Sequence, residues 1–193
     1  KDEKAAMQAM LDTIDVCVEG DYVKNKLTTF DIEYMFTQIR GKSVGESIDV
    51  KTKCSECETE NDVNIILADI KVDVPEVDKI IPLTDTISLE VQYPPFKSLI
   101  VNQDKRENET EMSFILMKEC MAAVINGDER VAISEVPEKE VNDFVDSLNT
   151  SQIKQIGKFV EKIPVLKKDV EFECSSCKHH NKITLQGIQD FFT

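Results

Sequence analysis

Lys53-Cys54-Ser55-Glu56-Cys57-Glu58 and Glu173-Cys174-Ser175-Ser176-Cys177-Lys178 are the two stretches that decide the reading of this 193-residue chain. Each holds a Cys-X2-Cys pair, while Cys17 and Cys120, the remaining two of six cysteines, stand alone. Two residues between cysteines let a tight turn bring both thiolates onto one face, at about the separation of two corners of a tetrahedral zinc site. One such turn supplies half a site. A redox Cys-X2-Cys needs only one pair and sits at a helix start after a buried strand, whereas both pairs here lie between strand-like segments. Before Cys54, Ile48, Val50 and Thr52 alternate with Asp49, Lys51 and Lys53; after Cys57 a charged turn over residues 58–62 leads to Val63, Ile65 and Leu67. Before Cys174, Val170 and Phe172 alternate with Glu171 and Glu173; after Cys177, residues 178–181 form a turn before Ile183 and Leu185. Both read as strand, metal knuckle, strand.

Two such hairpins facing one another make a zinc ribbon. The expected fold class is therefore α+β: a zinc-ribbon-like pair of β-hairpins, with halves at about residues 46–70 and 168–186, and a mainly helical remainder. Cys57 and Cys174 are 117 positions apart, so a large insertion separates the knuckles. The expected ligands of one structural Zn2+ are Cys54, Cys57, Cys174 and Cys177. A single shared site is preferred to two separate sites and to metal-free thiols or disulfides, which a reducing cytosol disfavours. His179 and His180 directly follow a complete pair, so they read as turn residues before they read as substitute ligands. Four thiolates leave no open position for water or substrate, which makes the expected metal role structural. Such sites bind with apparent energies on the order of 10–16 kcal/mol, comparable with a domain's net stability. The knuckles differ in charge, with six acids against two lysines over residues 46–62 and four lysines against three acids over 167–182. Exposed pairs contribute only about 0–1 kcal/mol each, so this difference favours their approach modestly.

Composition narrows the function classes. Asp plus Glu number 37 against 23 Lys plus Arg, a net charge of −14 that repels a phosphate backbone. The densest lysine clusters, Lys51 with Lys53 and Lys167 with Lys168, are each diluted by acids, so nucleic-acid binding is not expected. The apolar run near residues 63–70 is far short of the roughly 20 residues that span a bilayer. No basic, apolar leader opens the chain, which points to the cytosol, and a start at Lys1 suggests a missing true N-terminus. Both histidines lie in one turn, and no Ser-His-Asp or Cys-His constellation is spaced along the chain, so a binding protein is expected and an enzyme is not.

The chain reads as a single domain, residues 1–193, with helical parts at about 2–40 and 112–163. Met7, Met10, Leu11, Ile14 and Cys17 mark an amphipathic helix over residues 2–18, with Cys17 as a core thiol. A second helix, about Thr29 to Arg40, is capped by Thr28 or Thr29, presents Ile32, Met35, Phe36 and Ile39, and ends at Gly41. Gly41-Lys42-Ser43 resembles the end of a phosphate-binding loop, but Phe36 stands where that loop needs glycine. An extended segment over residues 86–91 and a charged loop over 102–111 follow. A helix is expected from about Met112 to Asn126, with Phe114, Met117, Met121 and Val124 inward and Cys120 near that face. Another starts near Pro137 and runs to Leu148, burying Val141, Phe144, Val145 and Leu148. Thr150 or Ser151 caps the last, which runs through Ile153, Ile156, Phe159 and Val160. The halves share an order of helix, Gly-Asp turn (Gly20-Asp21, Gly127-Asp128), helix or helices, strand, Cys-X2-Cys, strand, the second half being expanded by one helix, which suggests a duplication whose two hairpins would superpose.

Residues 39–46 (Ile-Arg-Gly-Lys-Ser-Val-Gly-Glu), 87–94 and 151–166, and the ending Phe172 to Phe192 with Leu185-Gln186-Gly187 and Phe191-Phe192, resemble the baseplate hub assembly proteins of T-even-type contractile bacteriophages. The resemblance covers most of the chain. It implies a role in building the tail baseplate hub in the cytoplasm of the infected bacterium, with other hub or tail proteins as partners and no catalytic residues. An assembly factor or chaperone ranks first and a structural subunit of the mature virion baseplate second, ahead of a nucleic-acid-binding zinc ribbon. Tyr93, Phe96, Phe191 and Phe192 are candidate partner contacts, with burial in the core as their ordinary alternative.

Overall fold

The computed structural model describes residues 3–101 and 108–192. In chain order its helices are α1 (Glu3–Cys17), α2 (Thr29–Ser43), α3 (Phe96–Val101), α4 (Glu109–Glu119), α5 (Glu138–Ser147), α6 (Thr150–Val160) and α7 (Gly187–Phe192). The strands are β1 (Ser47–Lys53), β2 (Glu60–Ile66), β3 (Lys71–Val72), β4 (Ile80–Pro82), β5 (Ile87–Val91), β6 (Met121–Asn126), β7 (Glu129–Ala132), β8 (Leu166–Glu173) and β9 (His180–Gln186). The fold is α+β, with helices and small antiparallel sheets. The chain forms two compact units. The first comprises the segment up to Tyr22, Thr29–Val74, and everything from Pro164 on; the second comprises Val23–Thr28 and Pro75–Ile163.

The first unit is built on two hairpins. β1 pairs with β2 from Ser47↔Ile66 to Lys53↔Glu60, and β8 pairs with β9 from Lys167↔Gln186 to Glu173↔His180. Every pair of the second hairpin lies 120 positions after its counterpart in the first. β2 and β9 also alternate buried and exposed residues in the same pattern, as the two-residue period of a half-buried strand requires. Ile48, Val50, Ile65, Val170 and Leu185 put the inner faces of both hairpins into one core with Leu67, Ile70, Leu166 and Phe191. β3 adds a third strand to β8, and Lys168 to Asp69 (3.3 Å) and Lys167 to Asp73 (3.2 Å) tie β8 to the residues before and after β3.

Helix α2 runs past Gly41 to Ser43, two residues further than its glycine suggests, with Leu67 beside Gly41. Ile32 is fully buried on α2, and α1 packs on that helix through Leu11 and Ile14. Cys17, expected in the core, is exposed. The half-buried residue that continues the stripe from Ile14 is Val18, at the i+4 position. The other end of the chain docks on α2 as well: Phe36 meets Phe192 edge-on at 6.0 Å, the Arg40 guanidinium sits over the same ring at 5.3 Å, and Glu33 Oε1 accepts from Ile188 N–H at 3.3 Å. Burial raises the Glu33 carboxyl above its ordinary range, and the Ile188 N–H offsets this only in part.

The second unit holds the four-stranded meander β4-β5-β6-β7 against α4, α5 and α6. Leu89, Val91, Cys120, Met121, Ile156 and Phe159 lie in its buried core. Here the helical reading of residues 112–163 needs correction. The helix expected over 112–126 stops at Glu119, and residues 121–126 form a strand that continues through a two-residue turn into β7. Gly127, at φ 59°, makes that turn possible, and β-branched Val124 and Ile125 suit the sheet. Phe114, on the part that is helical, is exposed rather than inward. Gly127-Asp128 thus lies between strands, whereas Gly20-Asp21 follows a helix, so that part of the shared order fails. The charged loop begins outside the described residues at 102–107, and its end, from Glu109, already belongs to α4. Helices α5 and α6 bury Val141, Val145, Ile156 and Phe159 as their spacing requires. Asn149, one residue before the expected Thr150, caps α6 in a capping box with Gln152.

Candidate metal centre

Each Cys-X2-Cys turn closes its hairpin in the same way. Cys54 N–H donates to Thr59 O (3.0 Å) and Glu58 N–H to Cys54 O (3.0 Å); Cys174 N–H donates to His179 O (2.9 Å) and Lys178 N–H to Cys174 O (3.1 Å). The residue after the second cysteine takes the left-handed conformation in both, Glu58 at φ 58° and Lys178 at φ 63°. This reversal brings the two sulfurs of each knuckle onto one side of the turn. The cost of order 1–2 kcal/mol for a non-glycine residue there is offset by the hydrogen bonds that the turn completes.

The knuckles then meet. Cys54 Sγ lies 3.7 Å from Cys177 Sγ, and Cys57 Sγ lies 3.6 Å from Cys174 Sγ. All four sulfurs fall within 4.8 Å of one another. Metal–thiolate bonds of about 2.3 Å at tetrahedral angles put sulfurs about 3.8 Å apart. The site therefore has the dimensions, the number and the kind of donor that a tetrahedral metal ion takes. One cysteine of each knuckle, Cys54 or Cys174, is buried, and the other, Cys57 or Cys177, is exposed. His179 and His180 point elsewhere: both are exposed, and His180 lies 3.8 Å from Glu173.

The electrostatics require a cation if all four sulfurs are to ionise. The backbone N–H of Cys177, working against burial and helped by the N–H of Ser176, brings Cys174 down to about 6. Burial opposes ionisation of Cys54, but the N–H groups of Cys57 and Glu56 and the Asn181 amide outweigh it and hold that thiol below its usual range. Cys177 goes the other way. The His179 N–H draws it down, yet the Cys57 thiol, burial, and the Cys54 and Cys174 thiols push it up to about 12. Sulfurs this close cannot all carry charge alone, and a dication held by these four cysteines would remove that conflict.

Asn61 and Asn181 were not singled out by sequence reasoning. Both are buried polar residues, and each reaches the opposite knuckle. Ser55 N–H donates to Asn181 Oδ1 at 2.9 Å, and Ser175 N–H donates to Asn61 Oδ1 at 2.8 Å. The signal was present as an identical spacing, Cys-Ser-X-Cys-X3-Asn, in both halves.

Over its whole length, residues 1–193, the sequence matches the family described as T4 bacteriophage base plate protein. The chain belongs to that family. No curated protein and no solved structure matches it. As a phage baseplate protein it has a structural or assembly role and other baseplate proteins as its company. No helix among the described residues is long and apolar enough to cross a membrane. The aromatics considered as contacts for baseplate partners are taken up internally. Phe96 and Phe191 are buried, Tyr93 stacks on Phe159 at 5.4 Å, and Phe192 is held by Phe36 and Arg40. The apolar side chains that this baseplate protein does expose include Val44 (73%) and Ile66 (51%), which flank an open groove of about 710 Å³ at the end of α2.

Proposed function

We propose that the four sulfurs bind one structural Zn2+, giving a zinc ribbon assembled from two remote hairpins, and that the chain acts as a non-enzymatic hub assembly factor by protein–protein binding. The observation that carries this reading is the meeting of a family match over the whole chain with a closed four-sulfur site in its first unit. Four protein sulfurs occupy every corner of a tetrahedron, so the ion holds the fold and leaves no position for substrate. Zinc is preferred because four thiolates suit a soft tetrahedral site without redox chemistry. The partners are other hub or tail proteins, met in the cytoplasm of the infected bacterium. The net charge of −14 supports a protein partner over nucleic acid.

A second reading, a structural subunit of the finished baseplate, is favoured by the family's description as a base plate protein. Affinity isolation of the tagged chain from infected cells, comparing immature hubs with finished particles, separates the two. An assembly factor is recovered with immature hubs and is absent from purified particles. Stoichiometric retention in the particle would overturn that role in favour of the subunit, and recovery with neither would overturn both. Elemental analysis of the reduced protein tests the metal, with one zinc per chain expected.

A further inference from the structure

Beside the backbone N–H groups that face the sulfurs, two side chains link one knuckle to the other. Asn181 Oδ1 accepts from Ser55 N–H (2.9 Å) and from Ser55 Oγ (3.0 Å), 126 positions away, while its Nδ2 donates to His179 O (3.0 Å) in its own turn and to Cys54 Sγ (3.5 Å) in the other. Asn61 repeats the arrangement: Oδ1 accepts from Ser175 N–H (2.8 Å), 114 positions away, and Nδ2 donates to Thr59 O (2.8 Å) and lies 3.8 Å from Cys174 Sγ. The sulfur that each asparagine meets is the buried one of the opposite knuckle.

We propose that Asn61 and Asn181 are positioning residues of the metal centre: each clamps the opposite knuckle and aims an amide N–H at that knuckle's buried sulfur. This rests on the metal reading given above. An asparagine that merely completed its own turn would need only the bond to Thr59 O or His179 O. The acceptor instead crosses to the other hairpin, in both halves and to the equivalent serine. Only an amide fits this position. One oxygen must accept from a backbone N–H while two hydrogens face a carbonyl and a thiolate. An aspartate would turn a negative oxygen on both of the latter, and an apolar residue would leave the serine N–H unpaired. Because each clamp ties one knuckle's turn to the other's ligand, the hairpins dock in one register before or as the ion binds. Partners of this kind orient metal ligands and stabilise their charged form.

The test uses the full reduced chain and its Asn61→Asp and Asn181→Asp variants, with Asn64→Asp as control. Asn64 lies on the same strand as Asn61 but bonds Asp49 (2.8 Å) and Ser47 (3.4 Å) at the exposed face of the hairpin. Zn2+ affinity is read by competition with a chromophoric chelator, and the sulfur-to-metal charge-transfer band is read after Co2+ loading. Each clamp variant is expected to lose about 10–100-fold in affinity and to shift the band, while the control stays within about twofold of the parent. If an aspartate variant does not fold, Asn61→Ser and Asn181→Ser replace it, with a loss in the same range expected. Clamp variants that bind like the parent, or a control that loses as much as they do, overturn the proposal and leave the metal reading standing. A parent that takes up no metal overturns the metal reading itself, and this inference with it.

Discussion

Withdrawing the ion with a high-affinity chelator under reducing conditions should unfold the paired hairpins of the first unit and spare the core of the second. Between the knuckles the protein supplies three hydrogen bonds to asparagine oxygens and two amide contacts to sulfur. At roughly 0.5–1.5 kcal/mol net each, the three contribute about 2–4 kcal/mol. A structural four-thiolate zinc contributes on the order of 10–16 kcal/mol at neutral pH. Whole domains are stable by only about 5–15 kcal/mol. The ion therefore outweighs the direct contacts several-fold, and its loss takes the hairpin pair to or past the balance point. Hydrogen exchange read by mass spectrometry resolves the outcome by segment. β1, β2, β8 and β9 should lose protection in chelator and regain it on adding Zn2+, whereas β5 and β6, whose core contains none of the ligands, should keep theirs. Equal protection of all four hairpin strands with and without chelator would refute the reasoning.

Other consequences concern the cores. Ile156 is wholly buried on α6, so Ile156→Ala should cost about 2–5 kcal/mol in chemical denaturation, and a loss well below 1 kcal/mol would show that the site collapses around the gap. Burial, reinforced by the Glu119 charge, pushes the Cys120 thiol up to about 12; it contributes stability in full below the ordinary thiol value near 9 and loses it as pH rises from there to about 12. At pH 9, alkylation followed by mass spectrometry should therefore modify exposed Cys17 and leave Cys120 intact, and equal rates would contradict its placement. Glu33 is also raised by burial, so its contribution is complete below about 4.5 and is lost as pH rises through its folded value. Glu33→Gln keeps an acceptor for the Ile188 N–H and should melt higher than the parent at pH 7, with the difference vanishing below pH 4; a lower melting point at pH 7 would refute this.

The four-cysteine cluster was legible because cysteine spacing is a local property, and so were the four hairpin strands, whose alternation has period two. Helices α5 and α6 were legible for the same kind of reason, since Val141, Val145, Ile156 and Phe159 recur at helical spacing. Residues 112–126 were misread because a run with Phe114, Met117, Met121 and Val124 satisfies helical spacing while its second half also satisfies a strand. Only its pairing with β5 and β7 decides between them. Cys17 fits the stripe of α1 by spacing, but Val18, at i+4 from Ile14, takes the half-buried place and leaves Cys17 exposed. The asparagine clamp was hidden for a different reason. A buried asparagine is recognised by what it bonds, and those atoms lie more than a hundred residues away.

Because the knuckles are 120 positions apart, the order of synthesis bears on how the first unit forms. At roughly 5–20 residues per second the first Cys-X2-Cys turn leaves the ribosome some 6–24 s before the second. During that interval Cys54 and Cys57 are an orphan bidentate thiol pair, and the apolar face of β1 and β2 has no mate. The intervening segment contains the whole meander and its helices, which can collapse on local contacts within that delay. Docking of the two hairpins is then a late step, timed by the emergence of the second one.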